Sequence, residues 1–525
     1  MNATTAQTNQ IVHPRAAIGA VTGLLVTGVA LAVGHLVAAV TTPDASPVIA
    51  VGQAAIDETP EWLKAFAIRT FGANDKRALL IGIVLTLAVI SIAVGVVSIK
   101  RHWIGVAGIV GLTLLGLAAA LSRPTASASY ADPALAAGLA AGGAYAVLLW
   151  SLRPRVERPA PGDAEPPMPV DFDRRRFLAT TGALGALAIA AGGAARMLGR
   201  NTEIAAERAS LTIPMPASPA APLPAGANLG VPGISPFFTP LDRFYRVDTA
   251  LLVPRVSPQD WRLAIGGMVD RPFTLTYRDL IALDLIERDI TLNCVSNRVG
   301  GRYIGTTRWI GAPLKPLLEE AGIQASATQI ASRSVDGFTV GTPLPTALDG
   351  RDAMLAVAMN GEPLPLEHGF PVRMLVPGLY GYESATKWIT SIDLVDDSFQ
   401  AYWVKRGWAK AVDVKTAARI DTPANGARVN AGQVNVAGVA WAQHRGIDTV
   451  QVQVDGGDWV DAELGAVDSP DTWRQWRYRW EASPGGSHLL RVRAVDGTGV
   501  VQTGDEAPPF PSGATGYDNV SVEAT

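Results

Sequence analysis

The sequence predicts three parts in series: an N-terminal all-α transmembrane bundle, an α+β domain, and a C-terminal all-β sandwich of the immunoglobulin type. Three observations carry this. Uncharged apolar runs of bilayer length crowd residues 1–200, short strands and helices mix without regular alternation over 234–414, and period-two patterning with hairpin turns fills 415–525. A chain of 525 residues is too long for one core, and the usual prior is about three domains. Hydrophobic residues make up 48% and charged residues 17%, so the apolar excess must be concentrated somewhere.

The excess lies at the start. Five runs read as helices able to span, at 16–40, 78–99, 103–121, 134–152 and 177–195. Arg15, then Lys100 and Arg101, then Arg153, Arg155, Arg158, Arg174, Arg175 and Arg176 fall on one side if every run crosses. The positive-inside rule makes that side cytoplasmic and places everything after the fifth helix outside. The first outer loop holds Lys64, Arg69, Lys76 and Arg77 beside Asp44, Asp57, Glu58, Glu61 and Asp75, and 58–74 can be an interfacial helix. Arg174-Arg175-Arg176-Phe177-Leu178 before a mild Ala/Gly run resembles a twin-arginine export signal, the route of proteins that fold before crossing.

No haem is expected in this chain. His35 is the one histidine within a span, His102 sits at an edge, and no C-x-x-C-H is present. His35 reads as a helix-interface residue, and Gly105, Gly108 and Gly111 as helix-packing glycines. A net charge of −3 with no basic block beyond the arginine cluster gives no footprint for nucleic acid.

The segment 201–233, with Pro214, Pro216, Pro219, Pro222, Pro224 and Pro232, reads as an extended tether. In 234–414, strands are expected near 261–265 and 374–376. Helices are expected near 276–284, capped by Thr276, and 313–321, stopped by Gly322. In 415–525, Val450, Val452 and Val454, then Leu490, Val492 and Ala494, alternate with polar residues. Asp455-Gly456-Gly457-Asp458 and Asp496-Gly497 supply turns. Trp459, Trp473, Trp476 and Trp480 read as packing residues of this sandwich.

Chemistry centres on the single cysteine, which excludes an intrachain disulfide. Cys294 follows a short apolar run and precedes Gly300 and Gly301, a strand-to-loop junction where a ligand can point into a site. Arg298, Arg302 and Arg308 lie close in sequence, and cations favour the thiolate that binds a soft metal. Arg246, His368, Arg373 and Lys387, with Asp336, can form an anion pocket. One cysteine and six scattered histidines offer no zinc-ligand spacing.

Six stretches in order carry a family resemblance. They are Asn293-Cys294-Val295-Ser296-Asn297-Arg298, Thr307-Arg308-Trp309-Ile310-Gly311, Met359-Asn360-Gly361-Glu362-Pro363-Leu364-Pro365, His368-Gly369-Phe370-Pro371-Val372-Arg373, Val376-Pro377-Gly378 and Lys387-Trp388. Together they resemble the successive signatures of the sulfite oxidase family of molybdopterin-dependent oxidoreductases, in a membrane-anchored bacterial form. The last part is similar to that family's dimerisation domain. The resemblance implies a molybdenum–molybdopterin cofactor with one pyranopterin dithiolene and with Cys294 as the metal's thiolate. It implies cofactor binding by Tyr245, Arg246, Asp336, His368, Arg373 and Lys387, with Arg246 also on the substrate side.

The chain departs from that pattern twice. Sulfite-oxidising members carry a tyrosine where Trp403-Val404-Lys405-Arg406-Gly407-Trp408 places Trp408, and an Arg-Asn-His stretch reads Arg246-Val247-Asp248 here. Indole donates a hydrogen bond but cannot accept one as phenol does. The expected catalytic set is Cys294, Arg246 and Trp408. The expected function is oxygen-atom transfer to or from a small, in part anionic, oxo-compound outside the cytoplasmic membrane. Electrons would pass to a separate carrier and a homodimer would form through the last domain. The alternatives are a sulfoxide-type reductase and a catalytically inactive binding protein whose working part is the sandwich.

Overall fold

The computed structural model describes residues 12–71, 75–153, 173–198 and 202–525. It divides into two compact units, Met1–Thr202 with Thr249–Leu252, and Glu203–Asp248 with Val253–Thr525.

The first unit is helical: α1 (Val12–Val40), α2 (Pro47–Glu58), α3 (Glu61–Phe71), α4 (Asp75–Ser98), α5 (His102–Leu121), α6 (Asp132–Ser151) and α7 (Arg174–Leu198). Five helices are long and apolar enough to cross a bilayer: Ala16–Val40, Asp75–Ser98, His102–Leu121, Ala128–Ser151 and Arg174–Met197. α1 packs against α4, α6 and α7. The α1–α4 crossing is close because small residues line it. A Cβ on Gly23 would run into the Ser91 carbonyl and one on Gly19 would lie 2.6 Å from Val96 Cα, while Thr27 and Ser91 join hydroxyls at 2.7 Å. Gly105 lies against the Tyr145 ring and Gly108 against Val94, but a Cβ on Gly111 would meet nothing within 4 Å, so Gly111 is not a packing glycine. His35 does reach across to another segment, with Nδ1 3.2 Å from the Ser46 hydroxyl. α2 was not expected from the sequence, and α3 covers most of the stretch read as an interfacial helix. Arg155 and Arg158 lie outside the described residues; Arg176 stacks its guanidinium 3.3 Å over the Trp150 ring.

The tether expectation for 201–233 needs correction. Thr202–Ser210 forms α8, and the rest is a strap laid on the second unit. Arg208 donates to the Pro363 carbonyl at 2.7 Å and to Glu362 at 3.1 Å. Arg288 donates to the Ser218 carbonyl at 3.1 Å, and Ala227 is fully buried. A proline-rich segment has few backbone donors but keeps its carbonyls, and Arg288 and Arg308 bind those of Ser218 and Ala221, while Arg208 reaches out from the segment to the domain.

Two sheets form the α+β domain. One is ordered β2-β1-β10-β5-β6, from β1 (Arg262–Gly267), β2 (Phe273–Thr276), β5 (Gln329–Ser334), β6 (Thr339–Pro343) and β10 (Ile389–Val395). The other is ordered β3-β4-β7-β8, from β3 (Ile286–Asn293), β4 (Ile304–Pro313), β7 (Met354–Met359) and β8 (Glu362–Pro363), with β9 (Arg373–Leu375) on β7. The helices are α9 (Tyr277–Ile281), α10 (Leu314–Ala321), α11 (Leu344–Leu348) and α12 (Gly381–Ser384). Thr276 and Asp279 make a reciprocal capping box on α9, and Gly322 ends α10 at φ +76. Every residue of β7 is buried, which marks the central strand.

The sandwich pairs a sheet ordered β11-β13-β17-β16 with one ordered β12-β19-β18-β14-β15. Its strands are β11 (Ala417–Thr422), β12 (Ala427–Val429), β13 (Gly432–Trp441), β14 (Ile447–Val454), β15 (Val460–Asp461), β16 (Glu463–Leu464), β17 (Arg474–Ala482), β18 (Gly486–Asp496) and β19 (Asp518–Ala524). Val450, Val452, Leu490, Val492, Ala494, Trp476 and Trp480 form its core, as the alternation predicts. Trp473 belongs to a different cluster, with Phe237, Val295, Tyr380 and Trp408, that joins the sandwich to the α+β domain.

Asp496 is a charge anchor within the sandwich, and its partner Arg445 also donates to the Val414 carbonyl at the domain's edge at 2.7 Å. Its buried carboxylate accepts from Thr416 Oγ1 at 2.8 Å, Arg445 Nε at 2.9 Å and Thr498 Oγ1 at 2.6 Å. Burial alone would raise its proton affinity, but these donors outweigh it and hold the carboxyl well below the usual range. A depressed carboxyl contributes stability above its unfolded pKa of about 4 and loses it as the pH falls through the folded value. Asp496→Asn is expected to cost about 3 kcal/mol in urea unfolding at neutral pH, because Arg445 loses its charged partner, with the gap narrowing below about pH 4. An unchanged urea midpoint would contradict this.

Candidate functional site

Cys294 stands one residue beyond β3, and its position is fixed by the strand behind it. β3 pairs with β4 along its length, Cys294 N–H donates to the Tyr303 carbonyl at 2.9 Å, and Asn297 N–H closes a turn onto the Cys294 carbonyl at 2.9 Å. The other side of β3 is held by the sandwich: Thr291 N–H donates to the Asp471 carbonyl at 2.9 Å, and Trp473 N–H donates to Thr291 Oγ1 at 2.7 Å. Cys294 Sγ lies 2.9 Å from the Ser296 hydroxyl.

The arginines nearest in sequence are not the ones that act on the thiol. Arg308 turns away to Asp289, at 2.7 Å and 2.8 Å, and Arg298 and Arg302 are exposed. Burial pushes the Cys294 thiol up; the Ser296 hydroxyl and N–H, and then the positive charge of Lys387, pull it back. Lys387 is more than ninety residues away in sequence, so chain spacing could not find it.

A cationic cluster is gathered from three segments. Lys387 Nζ donates to Asp248 at 2.7 Å and to the Glu367 carbonyl at 3.0 Å, and Arg246 Nε reaches the same Asp248 oxygen at 2.8 Å. Arg373 Nη1 donates to the His368 carbonyl at 3.1 Å, and its guanidinium sits 5.2 Å over the Trp309 ring. Arg373 Nε is buried with no partner among the described residues, as a donor waiting for an acceptor would be. Burial lowers Lys387 to about 8 and Arg373 to about 10. His368 is buried, packed edge-on to Phe244, and lowered to about 3 by burial and then by Arg373 and Lys387, so its ring is neutral. Tyr245 stacks on Phe244 at 5.2 Å; burial, and next the Cys294 charge, keep its phenol protonated.

The sequence reading missed Asp248, noting it only as a departure. Residues two apart on an extended segment share a side, so Arg246-Val247-Asp248 carried the signal for this pair. Asp336 enters less fully. It lies in the β5–β6 turn, where its carboxylate accepts the Phe338 N–H at 3.1 Å, while Val335 N–H donates to the Trp388 carbonyl at 2.9 Å. Trp388, beside Lys387, holds φ +50, an uncommon backbone for a bulky residue, with its indole N–H on the Leu366 carbonyl at 2.8 Å.

Trp408 is buried between Tyr382 (6.1 Å), Trp403 (6.2 Å) and Phe510 (5.4 Å). Its indole N–H has no partner among the described residues.

The oxidoreductase molybdopterin binding domain model matches residues 250–403, and a bacterial Ig domain model matches 417–492. An uncharacterized oxidoreductase of Bacillus subtilis, YuiH, is 32% identical over 148 residues, which is 28% of this chain and 72% of that protein. The mitochondrial sulfite oxidase of Mus musculus is 31% identical over 306 residues. The chain belongs to the sulfite oxidase family of molybdopterin-dependent oxidoreductases. The match to the mouse protein covers 49% of this chain and 56% of that one, so the chain spans little more than half the length of the mitochondrial sulfite oxidases it matches. A sulfane dehydrogenase of Paracoccus pantotrophus aligns over 58% of this chain and 86% of its own, at 24% identity and TM-score 0.49.

The family's cofactor is molybdenum–molybdopterin. The donor set accommodates it. Cys294 offers a thiol with one hydroxyl neighbour, and Arg373 an unpartnered guanidinium nitrogen. Among the described residues no group of three or more His, Cys, Asp or Glu could hold a metal unaided, so the remaining ligands would come from the cofactor itself.

Proposed function

We propose that this protein is a membrane-anchored molybdenum oxidoreductase that moves an oxygen atom to or from a small oxo-compound outside the cytoplasmic membrane. The observation that carries this is the convergence of one cysteine, on a strand clamped from both sides, with buried Lys387 and Arg373 and neutral His368 in a chain of this family. Cys294 would ligate the metal as thiolate. Arg373 and Lys387 would hold the cofactor's phosphate, since buried cations need an anion partner. Arg246 and Asp248 would steady Lys387, Tyr245 and His368 would pack against the pterin, and Asp336 would accept from the pterin ring. The cofactor supplies the two-electron chemistry; the chain supplies position and charge.

In this reading the five long apolar helices anchor the chain, with Arg174-Arg175-Arg176 on the cytoplasmic side and in a twin-arginine context. Electrons pass to a separate carrier and the sandwich pairs two copies. A reporter active only in the cytoplasm, fused after Thr525, is expected to stay silent; a bright signal would reverse the orientation.

Substrate choice turns on Trp408. An indole can only donate, and this one is wedged among rings, so the two-way hydrogen bonding of a phenol is absent at this position. That favours a second reading within the class, reduction of a sulfoxide or similar oxide. The metal-loaded protein is expected to oxidise sulfite poorly, with a specificity constant that rises on Trp408→Tyr by up to about 100-fold. A substrate panel with an artificial electron carrier checks this. Fast sulfite oxidation by the wild type, slowed by the tyrosine, would contradict it.

A further inference from the structure

The backbone that follows Trp408 is laced to one short stretch, residues 378–383, which runs from the end of the Val376-Pro377-Gly378 motif into α12. Tyr382 Oη donates to the Ala409 carbonyl at 2.6 Å, and Val414 N–H donates to the Gly378 carbonyl at 2.9 Å. Between these, Ala411 N–H donates to Glu383 Oε1 at 2.5 Å and Val412 N–H to Glu383 Oε2 at 2.8 Å. Leu379 and Asp413 pair as an isolated bridge. Two successive N–H groups turned onto one anion need an irregular backbone, and Ala411 supplies it at φ +59. Glu383 itself stands on a fixed base, because Thr342 Oγ1 donates to its carbonyl.

The carboxylate is buried, at 1% exposure. Among the described residues no lysine, arginine or histidine pairs with it, so the two amides are its compensation. Burial pushes the Glu383 carboxyl up to about 7 against the pull of those amides; Asp413 adds to the rise and Lys410 opposes it. A carboxyl raised on folding contributes stability below its unfolded pKa of about 4 and loses it as the pH rises through the folded value. An ionised Glu383 therefore costs the fold stability above neutral pH, a cost that a glutamine would avoid. What the carboxylate alone provides is two acceptor oxygens for two adjacent donors.

We propose that Glu383 is a positioning residue for Trp408: by holding the amides of Ala411 and Val412, it sets where the indole stands among Tyr382, Trp403 and Phe510. Ala411 comes three residues after Trp408, and Tyr382, next to Glu383 on α12, both packs on the indole and holds the Ala409 carbonyl. The same short helix thus governs the ring and the backbone beyond it. The competing account is ring packing alone, with the carboxylate a bystander to the indole. The bearing of Glu383 on turnover rests on the reading of Trp408 as the residue that decides substrate choice; its bearing on the indole does not.

The test compares the full-length, metal-loaded wild type with Glu383→Gln, which keeps the size but turns one acceptor oxygen into a donor. Fluorine NMR of protein carrying fluorotryptophan reports the indoles, with the signals of Trp408 and of Trp476 in the sandwich core assigned by substitution to phenylalanine. The expected result is a Trp408 signal that shifts or broadens while that of Trp476 stays, with the Ala411 and Val412 amides exchanging about tenfold faster or more. The urea midpoint of the variant is expected to be no lower than that of the wild type at about pH 8.5, and its advantage to shrink as the pH falls toward about 5. An unmoved Trp408 signal in the folded variant would overturn the proposal. So would equal movement of both signals with a lower urea midpoint at every pH, because Glu383 would then serve the fold at large. Should Glu383→Gln not fold, Glu383→Asp keeps the charge but is one methylene shorter, and it is read by the same two signals. A moved indole with the specificity constant for sulfite unchanged, here and in Trp408→Tyr alike, would bring down the substrate reading of Trp408 and leave Glu383 in its role.

Discussion

The clamp on β3 is the constraint on which the rest depends. A strand end is a poor place to fix a ligand unless both its edges are satisfied, because unpaired peptide groups leave the terminus free to fray. Here one edge is zipped to β4 and the other receives Asp471 and Trp473 from the sandwich. Trp473 also donates its indole N–H to the Phe237 carbonyl at 2.9 Å, so the same residue ties down the segment leading to Tyr245 and Arg246. The sandwich is thus part of what places Cys294, whatever it does between copies.

Charge compensation sets the second constraint. Arg246, Lys387 and Arg373 would repel one another in a dry site, and burial already lowers the proton affinity of the latter two. Asp248 relieves part of this by accepting from both Arg246 and Lys387. Among the described residues Arg373 has no such carboxylate, only a carbonyl and a ring face, and keeps a buried nitrogen unpartnered. This imbalance and the strained backbone at Trp388 both cost stability, as expected if the site is shaped for an anion rather than for its own stability.

Much of the architecture was legible because its signals are periodic and local. Spanning length, period-two alternation, the Thr276 cap and the Gly322 stop each depend on a few neighbouring residues. What was not legible depends on long-range pairing. The proline-rich strap reads as a tether because proline speaks only to backbone freedom, whereas Arg288 and Arg308, which bind its Ser218 and Ala221 carbonyls, lie far off in sequence. The three arginines beside Cys294 look like its cationic setting, yet Arg308 answers to Asp289 and the effective charge arrives on Lys387. Asp248 was passed over for the same reason: its partners, Arg246 and Lys387, include one that only three-dimensional closure sets opposite it.

The central claim is that Cys294 contributes a sulfur to a molybdenum held in this cluster. X-ray absorption at the molybdenum edge on the purified, metal-loaded full-length chain tests it most directly. The account predicts short metal–sulfur distances whose sulfur count drops by one in Cys294→Ser, since a serine oxygen is a poor soft-metal ligand. The same sulfur count in the variant as in the wild type would contradict it.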